Sequence, residues 1–221
     1  GVSLTTDRFV NQNSAYQFDG VDDYIDSTDF SVPDEFSIST WIDPDRVDNG
    51  HIFVGKYDND GGNILIFGIY GSAYQVRIRS DYFTLGTATT ELQHLVATFK
   101  KLSDIETKVA VYRDGVQIIE QVINDVLGDT SGKPWVIGQD WDNGQVTSDF
   151  FDGTIDDVRF YNRVLSQQEI QLLAADKAET ISQAITIAAN DALYDDQDVV
   201  IDGAAVEIEG FHSFNNLKLI N

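Results

Sequence analysis

The strongest constraint on the fold is a series of short runs in which apolar and polar residues alternate, each closed by a turn signal. Phe36-Ser37-Ile38-Ser39-Thr40-Trp41-Ile42 sets large apolar residues against small polar ones until Pro44 ends the run. This is the pattern of a strand with one buried face. Ser14 to Ser27 reads as strand, Asp19-Gly20 turn and strand, with Tyr16 and Phe18 alternating before the turn and Tyr24 and Ile25 after it. His51 to Gly55 is a short apolar strand. Ile64 to Tyr70 and Tyr74 to Arg79 form a pair joined at Gly71-Ser72-Ala73, and Tyr82 to Leu85 forms a short hairpin arm. Leu92 to Lys101 carries Leu95, Ala97 and Phe99 on one face and His94, Val96 and Thr98 on the other. Lys108 to Arg113 and Val116 to Glu120 flank an Asp114-Gly115 hairpin turn. Many short strands, regular turns and almost no helix describe an all-β antiparallel sandwich of the jelly-roll kind.

The period changes once. Ser166-Gln167-Gln168-Glu169 fits a capping box, so a helix from about Gln167 to Ala175 is expected, with Ile170, Leu173 and Ala174 inward. Residues 1–175 suffice for the sandwich. Residues 176–221 read as a linker and β-rich extension, with Val206 and Ile208 alternating with Glu207 and Glu209, and Leu217 and Leu219 flanking Lys218. That tail has too few apolar residues for a core of its own, and it either packs on the sandwich or begins a next domain. The chain reads as a piece of a longer surface protein with flanking domains.

Composition narrows the function. Net charge is −23 over 221 residues, which argues against nucleic acid and anionic membrane surfaces and suits a cation-rich, extracellular setting. The chain has no cysteine, and so no disulfide, thiolate metal site or thiol nucleophile. No apolar run is long enough for a membrane span, and the start carries no signal-peptide pattern.

Between Ile137 and Arg163 the chain leaves a strand, enters a stretch dense in Asp, Asn and Gly, and returns as the strand Thr154 to Tyr161. Asp140, Asp142 and Asp149 lie around Gly144 without a cation close in sequence. Crowded carboxylates repel unless a positive charge joins them, and oxygen ligands suit a hard cation such as Ca²⁺. A solvated loop in an acidic protein is the competing reading. Neither this stretch nor Asp58 to Asn63 is an EF-hand, because the twelfth position is Phe151 or Ile69 rather than Glu. Asp19, Asp22 and Asp23 read as a turn whose carboxylates serve the backbone, in preference to a second, structural Ca²⁺.

Four motifs occur in order: Phe18-Asp19-Gly20-Val21-Asp22-Asp23-Tyr24-Ile25, Phe36 to Ile42, Val111-Tyr112-Arg113-Asp114-Gly115-Val116, and Phe151-Asp152-Gly153-Thr154-Ile155-Asp156-Asp157-Val158-Arg159-Phe160-Tyr161-Asn162-Arg163. With the capping-box helix after them, they resemble the laminin-G-like, concanavalin-A-like jelly roll of bacterial extracellular proteins, over roughly residues 10–175. Gly138-Gln139-Asp140-Trp141-Asp142 is similar to the Ca²⁺ loop of the related pentraxins. That similarity implies Ca²⁺ held by Asp140, Asp142 and Asp149, with a facing loop contributing Asp58, Asp60 and Asn63. Asn59 then lies beside the ligand. Trp141 is the expected ligand contact, since sugar faces stack on indole, and Tyr57 and Tyr74 would extend the platform. Trp41 and Phe36 belong to the core.

Catalysis finds little support. The Glu-x-Asp-x-x-Glu run of sandwich glycosidases is absent, and the adjacent Asp156 and Asp157 should face opposite sides of their strand. His51, His94 and His212 are scattered, with no nucleophile motif. The leading expectation is a non-catalytic, Ca²⁺-dependent, lectin-like module that binds carbohydrate or glycoconjugate on a secreted or cell-surface protein. A structural or protein-interaction spacer of a large adhesin ranks second, and a polysaccharide hydrolase or lyase third.

Overall fold

The computed structural model describes residues 1–57, 62–132, 134–142 and 146–175, with backbone alone at 142 and 146–147, and beyond 175 the backbone of five strands. In chain order the strands are β1 (Ser3–Thr5), β2 (Ala15–Asp19), β3 (Ile25–Asp26), β4 (Glu35–Pro44), β5 (Gly50–Tyr57), β6 (Asn63–Tyr70) and β7 (Ala73–Ile78). Then come β8 (Asp81–Thr87), β9 (Gln93–Ser103), β10 (Glu106–Arg113), β11 (Val116–Ile123), β12 (Trp135–Ile137), β13 (Asp140–Asp142), β14 (Val146–Ser148) and β15 (Asp152–Tyr161). Helix α1 (Gln167–Ala175) follows, and the tail adds β16 (Glu179–Ile181), β17 (Ile185–Ile187), β18 (Gln197–Asp202), β19 (Val206–Ile208) and β20 (Phe214–Ile220).

Two antiparallel sheets form the sandwich. One has the order β1-β2-β15-β4-β9-β10-β11 and the other β3-β12-β5-β6-β7-β8. The expected alternation holds and builds one core between them: Phe36, Ile38, Ile42, Leu95, Ala97, Phe99, Val109 and Val111 from the first sheet meet Phe53, Leu65, Phe67, Ile69, Tyr74 and Val76 from the second. Register fixes specific contacts. Phe36 pairs with Phe99 across β4 and β9, and their rings stack 4.4 Å apart. What read as a hairpin arm at Tyr82 to Leu85 is the full edge strand β8, paired to β7 from Ala73↔Thr87 to Ile78↔Asp81.

Helix α1 packs on the other face of the seven-stranded sheet, at β9 and β10. Ile170 and Leu165 bury against Val96, Ala110 and Tyr112, with Leu173 partly buried beside them. The capping box forms as expected: Glu169 Oε2 accepts from the Ser166 backbone N–H at 2.8 Å, and Glu169 N–H donates to Ser166 Oγ at 3.3 Å. Trp41 is buried as expected but on this second face, where it packs against His94 with ring centroids 4.9 Å apart.

The expected alternation fails at one pair on β15. Asp156 and Asp157 do not face opposite sides: Arg8 donates from Nη1 to Asp156 Oδ2 and from Nη2 to Asp157 Oδ2, both at 2.6 Å. The β15–β4 register slips between Asp156 and Arg159, and Asp157 takes φ 50°. A bulge breaks the two-residue period and re-aims the second carboxylate.

The tail makes its own sheets, separate from those of the sandwich. β16, β18 and β20 pair in parallel, with Glu179↔Val199↔Leu217 in line, and β17 pairs in parallel with β19. Parallel pairing of strands this close in sequence, alternating between two sheets, is the arrangement of successive coils of a β-solenoid. Among the described residues no helix is long and apolar enough to cross a membrane.

Candidate functional site

The six-stranded sheet turns one face to the core and the other outward, so residues out of phase with the core positions line its outer surface. Register places them in rows. Ile66, Arg77 and Tyr82 are direct neighbours across β6, β7 and β8, and Ile52, Gly68, Gln75 and Thr84 form the next row from β5 to β8. Gly68 has no side chain because Ile52 lies over it: a Cβ there would fall 2.7 Å from Ile52 Cδ1. Ile52, Ile66, Gln75, Arg77, Tyr82 and Thr84, with Tyr70, Asp140 and Asp149, line a hollow of about 450 Å³. Tyr70 and Tyr82 stand out from the surface, 53% and 58% exposed, while Arg77 is held down by donating from Nε to the Arg79 carbonyl at 2.6 Å.

Asp140 and Asp149 stand at one side of the hollow, and the described residues on either side of them are fastened to β5. Gly138 N–H donates to the Phe53 carbonyl at 3.2 Å, Phe151 N–H to the Gly138 carbonyl at 2.8 Å, and Ile52 N–H to the Asp149 carbonyl at 3.1 Å. His51 Nδ1 lies 3.1 Å from the Phe150 carbonyl. Gly138 is required where the chain leaves β12, since it has φ +90° and a Cβ would sit 2.3 Å from the Phe18 ring. Gly50 plays the same part further on. Its bare Cα makes room for the Asp149 side chain. What read as an irregular acidic loop therefore contains a small hairpin, β13–β14, with Asp140 opposite Ser148 and Trp141 opposite Thr147.

Asp140 is buried, and its carboxylate accepts from Ser148 Oγ at 2.6 Å and from Asn63 Nδ2 at 3.1 Å. The structure thus joins Asp140 to Asn63 and brings Asp149 to the same hollow. Asp58, Asn59 and Asp60 and the side chain of Asp142 lie outside the described residues. Among the described residues the anionic oxygen donors lining this end are the carboxylates of Asp140 and Asp149, groups of the kind that hard cations take.

Trp141 points to the other side of β13. Its ring packs against Tyr57 at 5.1 Å and Tyr24 at 6.4 Å, away from the residues that line the hollow. Tyr57 is only 8% exposed, and its hydroxyl is pushed up from the ordinary value by burial and then by the charge of Asp26. Tyr57 thus backs the indole instead of offering a free face. Tyr74 is a correction: it is 1% exposed and part of the core, and its hydroxyl donates to Gln93 and accepts the Thr89 N–H at 3.2 Å. Its place in the alternation, one residue out of phase with Gln75, sends it inward. Tyr70, Gln75, Arg77, Tyr82 and Thr84 went unnoticed in the sequence. The signal available was their shared phase opposite to Ile69, Tyr74, Val76 and Phe83.

Comparison with known proteins agrees with this architecture. No curated protein sequence matches the chain. Among solved structures, the binding domain of Paraclostridial Mosquitocidal Protein 1 superposes with a TM-score of 0.58 at 16% identity, covering 79% of this chain and 45% of that one, so this chain spans under half of that protein's length. Domain 4 of AbnA, an extracellular arabinanase from Geobacillus stearothermophilus solved with arabinotriose, gives 0.54 at 16% identity over 78% and 87%. A SAP-like pentraxin from Limulus polyphemus gives 0.52 at 15% over 72% and 80%. At these identities the likeness is one of fold. The family model described as the concanavalin A-like lectin/glucanases superfamily, Laminin_G_3, matches residues 19–171, and the chain belongs to that family.

Proposed function

We propose that this protein is a non-catalytic carbohydrate-binding module that takes its ligand in the hollow on the outer face of the six-stranded sheet. The observation that carries the reading is the hollow itself, about 450 Å³ with two exposed tyrosines at its rim and Gln75, Arg77 and Thr84 on its floor. A sugar needs both kinds of surface. Its C–H face stacks on aromatic rings, and its hydroxyls pair with fixed amide, guanidinium and carboxylate groups. Support also comes from the family and from a neighbour of the same fold solved with arabinotriose.

Ca²⁺ belongs to this proposal at the acidic end, with Asp140 and Asp149 as holders and Asn63 bracing Asp140. When bound, Ca²⁺ would supply open coordination positions for sugar hydroxyls. The net charge of −23 and the company of an extracellular arabinanase domain favour a secreted or cell-surface setting. Flanking segments of a longer surface protein would then present the module.

A glycan array probed with and without chelator tests the reading. Saturable binding that falls at least tenfold in Tyr82→Ala and in Tyr70→Ala is expected, as is weakening by chelator. Binding untouched by both substitutions would remove the hollow from consideration. No binding to any glycan would favour a spacer, and release of oligosaccharide from a bound polysaccharide would favour a hydrolase or lyase.

A further inference from the structure

With 37 Asp and Glu against 14 Lys and Arg, an arginine in this chain has carboxylates to choose from. Arg8 holds Asp156 and Asp157, Arg46 holds Asp152, Arg159 holds Asp157, and Arg163 holds Glu169. Arg77 differs. Among the described residues no carboxylate pairs with it, and its one hydrogen bond runs from Nε to the Arg79 carbonyl at 2.6 Å. That bond fixes the guanidinium plane. Both Nη groups of this half-buried side chain are left without a protein acceptor among the described residues, and Arg77 lines the hollow.

The surroundings favour an anion at this point. Register sets Ile66 on one side of Arg77 and Tyr82 on the other, and the next row offers the uncharged Gln75 and Thr84. Apolar flanks exclude water and strengthen any charge pair made there. The carboxylates of the hollow stand elsewhere: Asp149 packs on Gly50 of β5, and Asp140 meets Asn63 at the start of β6. Strands β5 and β7 have β6 between them, which sets them about 9–10 Å apart. The hollow thus has an anionic side and a cationic floor.

We propose that the hollow selects an acidic sugar, whose carboxylate sits on the Arg77 Nη groups between Ile66 and Tyr82 while its hydroxyls turn toward Asp140 and Asp149. The inference rests on the reading of the hollow as a carbohydrate site. A planar guanidinium matches a planar carboxylate and binds it through charge-assisted hydrogen bonds. The reverse orientation brings a third carboxylate to Asp140 and Asp149, where like charges repel. The net charge of −23 does not forbid an anionic ligand, since physiological salt screens exposed charges beyond about 8 Å and leaves the decision to the groups at the seat. Uronic and sialic acids both carry the carboxylate that this seat requires.

The test titrates the full chain calorimetrically with two pairs of ligands, a short oligogalacturonate and its methyl ester, and a sialylated trisaccharide and its methyl ester. Parent, Arg77→Gln, Arg77→Lys and Tyr82→Ala are compared. The free acid of one pair should bind the parent at least tenfold more tightly than its ester, and which pair does so identifies the source of the carboxylate. Arg77→Gln should bring acid and ester to equal affinity without weakening the ester, Arg77→Lys should keep part of the preference, and Tyr82→Ala should weaken both members of the pair. Acid against ester on the parent carries the test should Arg77→Gln fail to fold. Equal affinity for acid and ester in both pairs overturns the acidic-sugar proposal, and weakening of all four ligands by Tyr82→Ala in that case leaves the hollow standing as a carbohydrate site. A preference for acid that survives intact in Arg77→Gln overturns the seat. Tighter binding of a sulfated neutral trisaccharide than of either acid overturns the carboxylate, and absence of binding to every glycan overturns both this proposal and the reading beneath it.

Discussion

Gly50→Ala is the sharpest probe of how the acidic wall of the hollow is seated. A Cβ at Gly50 would fall 2.1 Å from Asp149 Oδ1, 2.2 Å from its Cγ and 2.7 Å from its Cβ. Three atoms at those distances cannot be relieved by swinging the carboxylate tip alone, so the backbone at Asp149 must move. Overpacking of this kind costs about 1–3 kcal/mol. For a domain of this size that lowers Tm by about 2–4 °C per kcal/mol. Because Ile52 N–H donates to the Asp149 carbonyl, the displacement also loosens the wall from β5. The double variant Gly50→Ala/Asp149→Gly removes all three clashing atoms and places glycine where Asp149 holds φ 48°. Its stability should exceed the sum of the two singles by about 1–3 kcal/mol, well outside the scatter of about 0.5 kcal/mol expected of independent sites. Urea unfolding followed by tryptophan fluorescence measures this, with an unchanged m-value confirming that stability alone has moved. Additivity of the two substitutions, or a Gly50→Ala protein as stable as the parent, would refute the packing of Asp149 on Gly50.

Two further outcomes follow from the same geometry. Tyr74→Phe removes the donor to Gln93 and leaves a buried acceptor unpaired, so it should cost about 1–3 kcal/mol in urea unfolding while glycan retention stays at the parent level; loss of retention at full stability would return Tyr74 to the binding surface. Glu169 is held at about 2, below its ordinary 4.5, first by Arg163 and then by the Ser166 backbone and hydroxyl. A depressed carboxylate stabilises the fold above its unfolded value and loses that contribution as pH falls. The Tm difference between parent and Glu169→Gln should therefore be constant above about pH 5 and vanish toward pH 2; a difference independent of pH would refute the ion pair.

Strand order of hydrophobicity was legible because burial of one sheet face imposes a period of two, and Phe36, Ile38, Leu95, Phe99, Phe53 and Phe67 all obey it. The capping box was legible for a similar reason, since Ser166 and Glu169 satisfy one another locally. Asp156 and Asp157 broke the same rule because a bulge costs one register step and is set by the partner strand, here β4. Trp141 and Asp140 were expected to serve one site, yet neighbours on a strand face apart, and the hairpin β13–β14 sends the indole to Tyr57 and Tyr24 and the carboxylate to the hollow.

The sequence by itself determined an antiparallel sandwich, its helix and its acidic character, since these rest on local period, caps and charge. Which side chains share a surface was decided by register between strands distant in the chain. Tyr70, Arg77 and Tyr82 meet Asp140 and Asp149 only because β6, β7 and β8 pair in one phase and Gly138 and Asp149 are bonded to β5. The tail shows the same division: its strands could be read from alternation, but their parallel stacking depends on hydrogen bonds between segments that carry no local mark of direction.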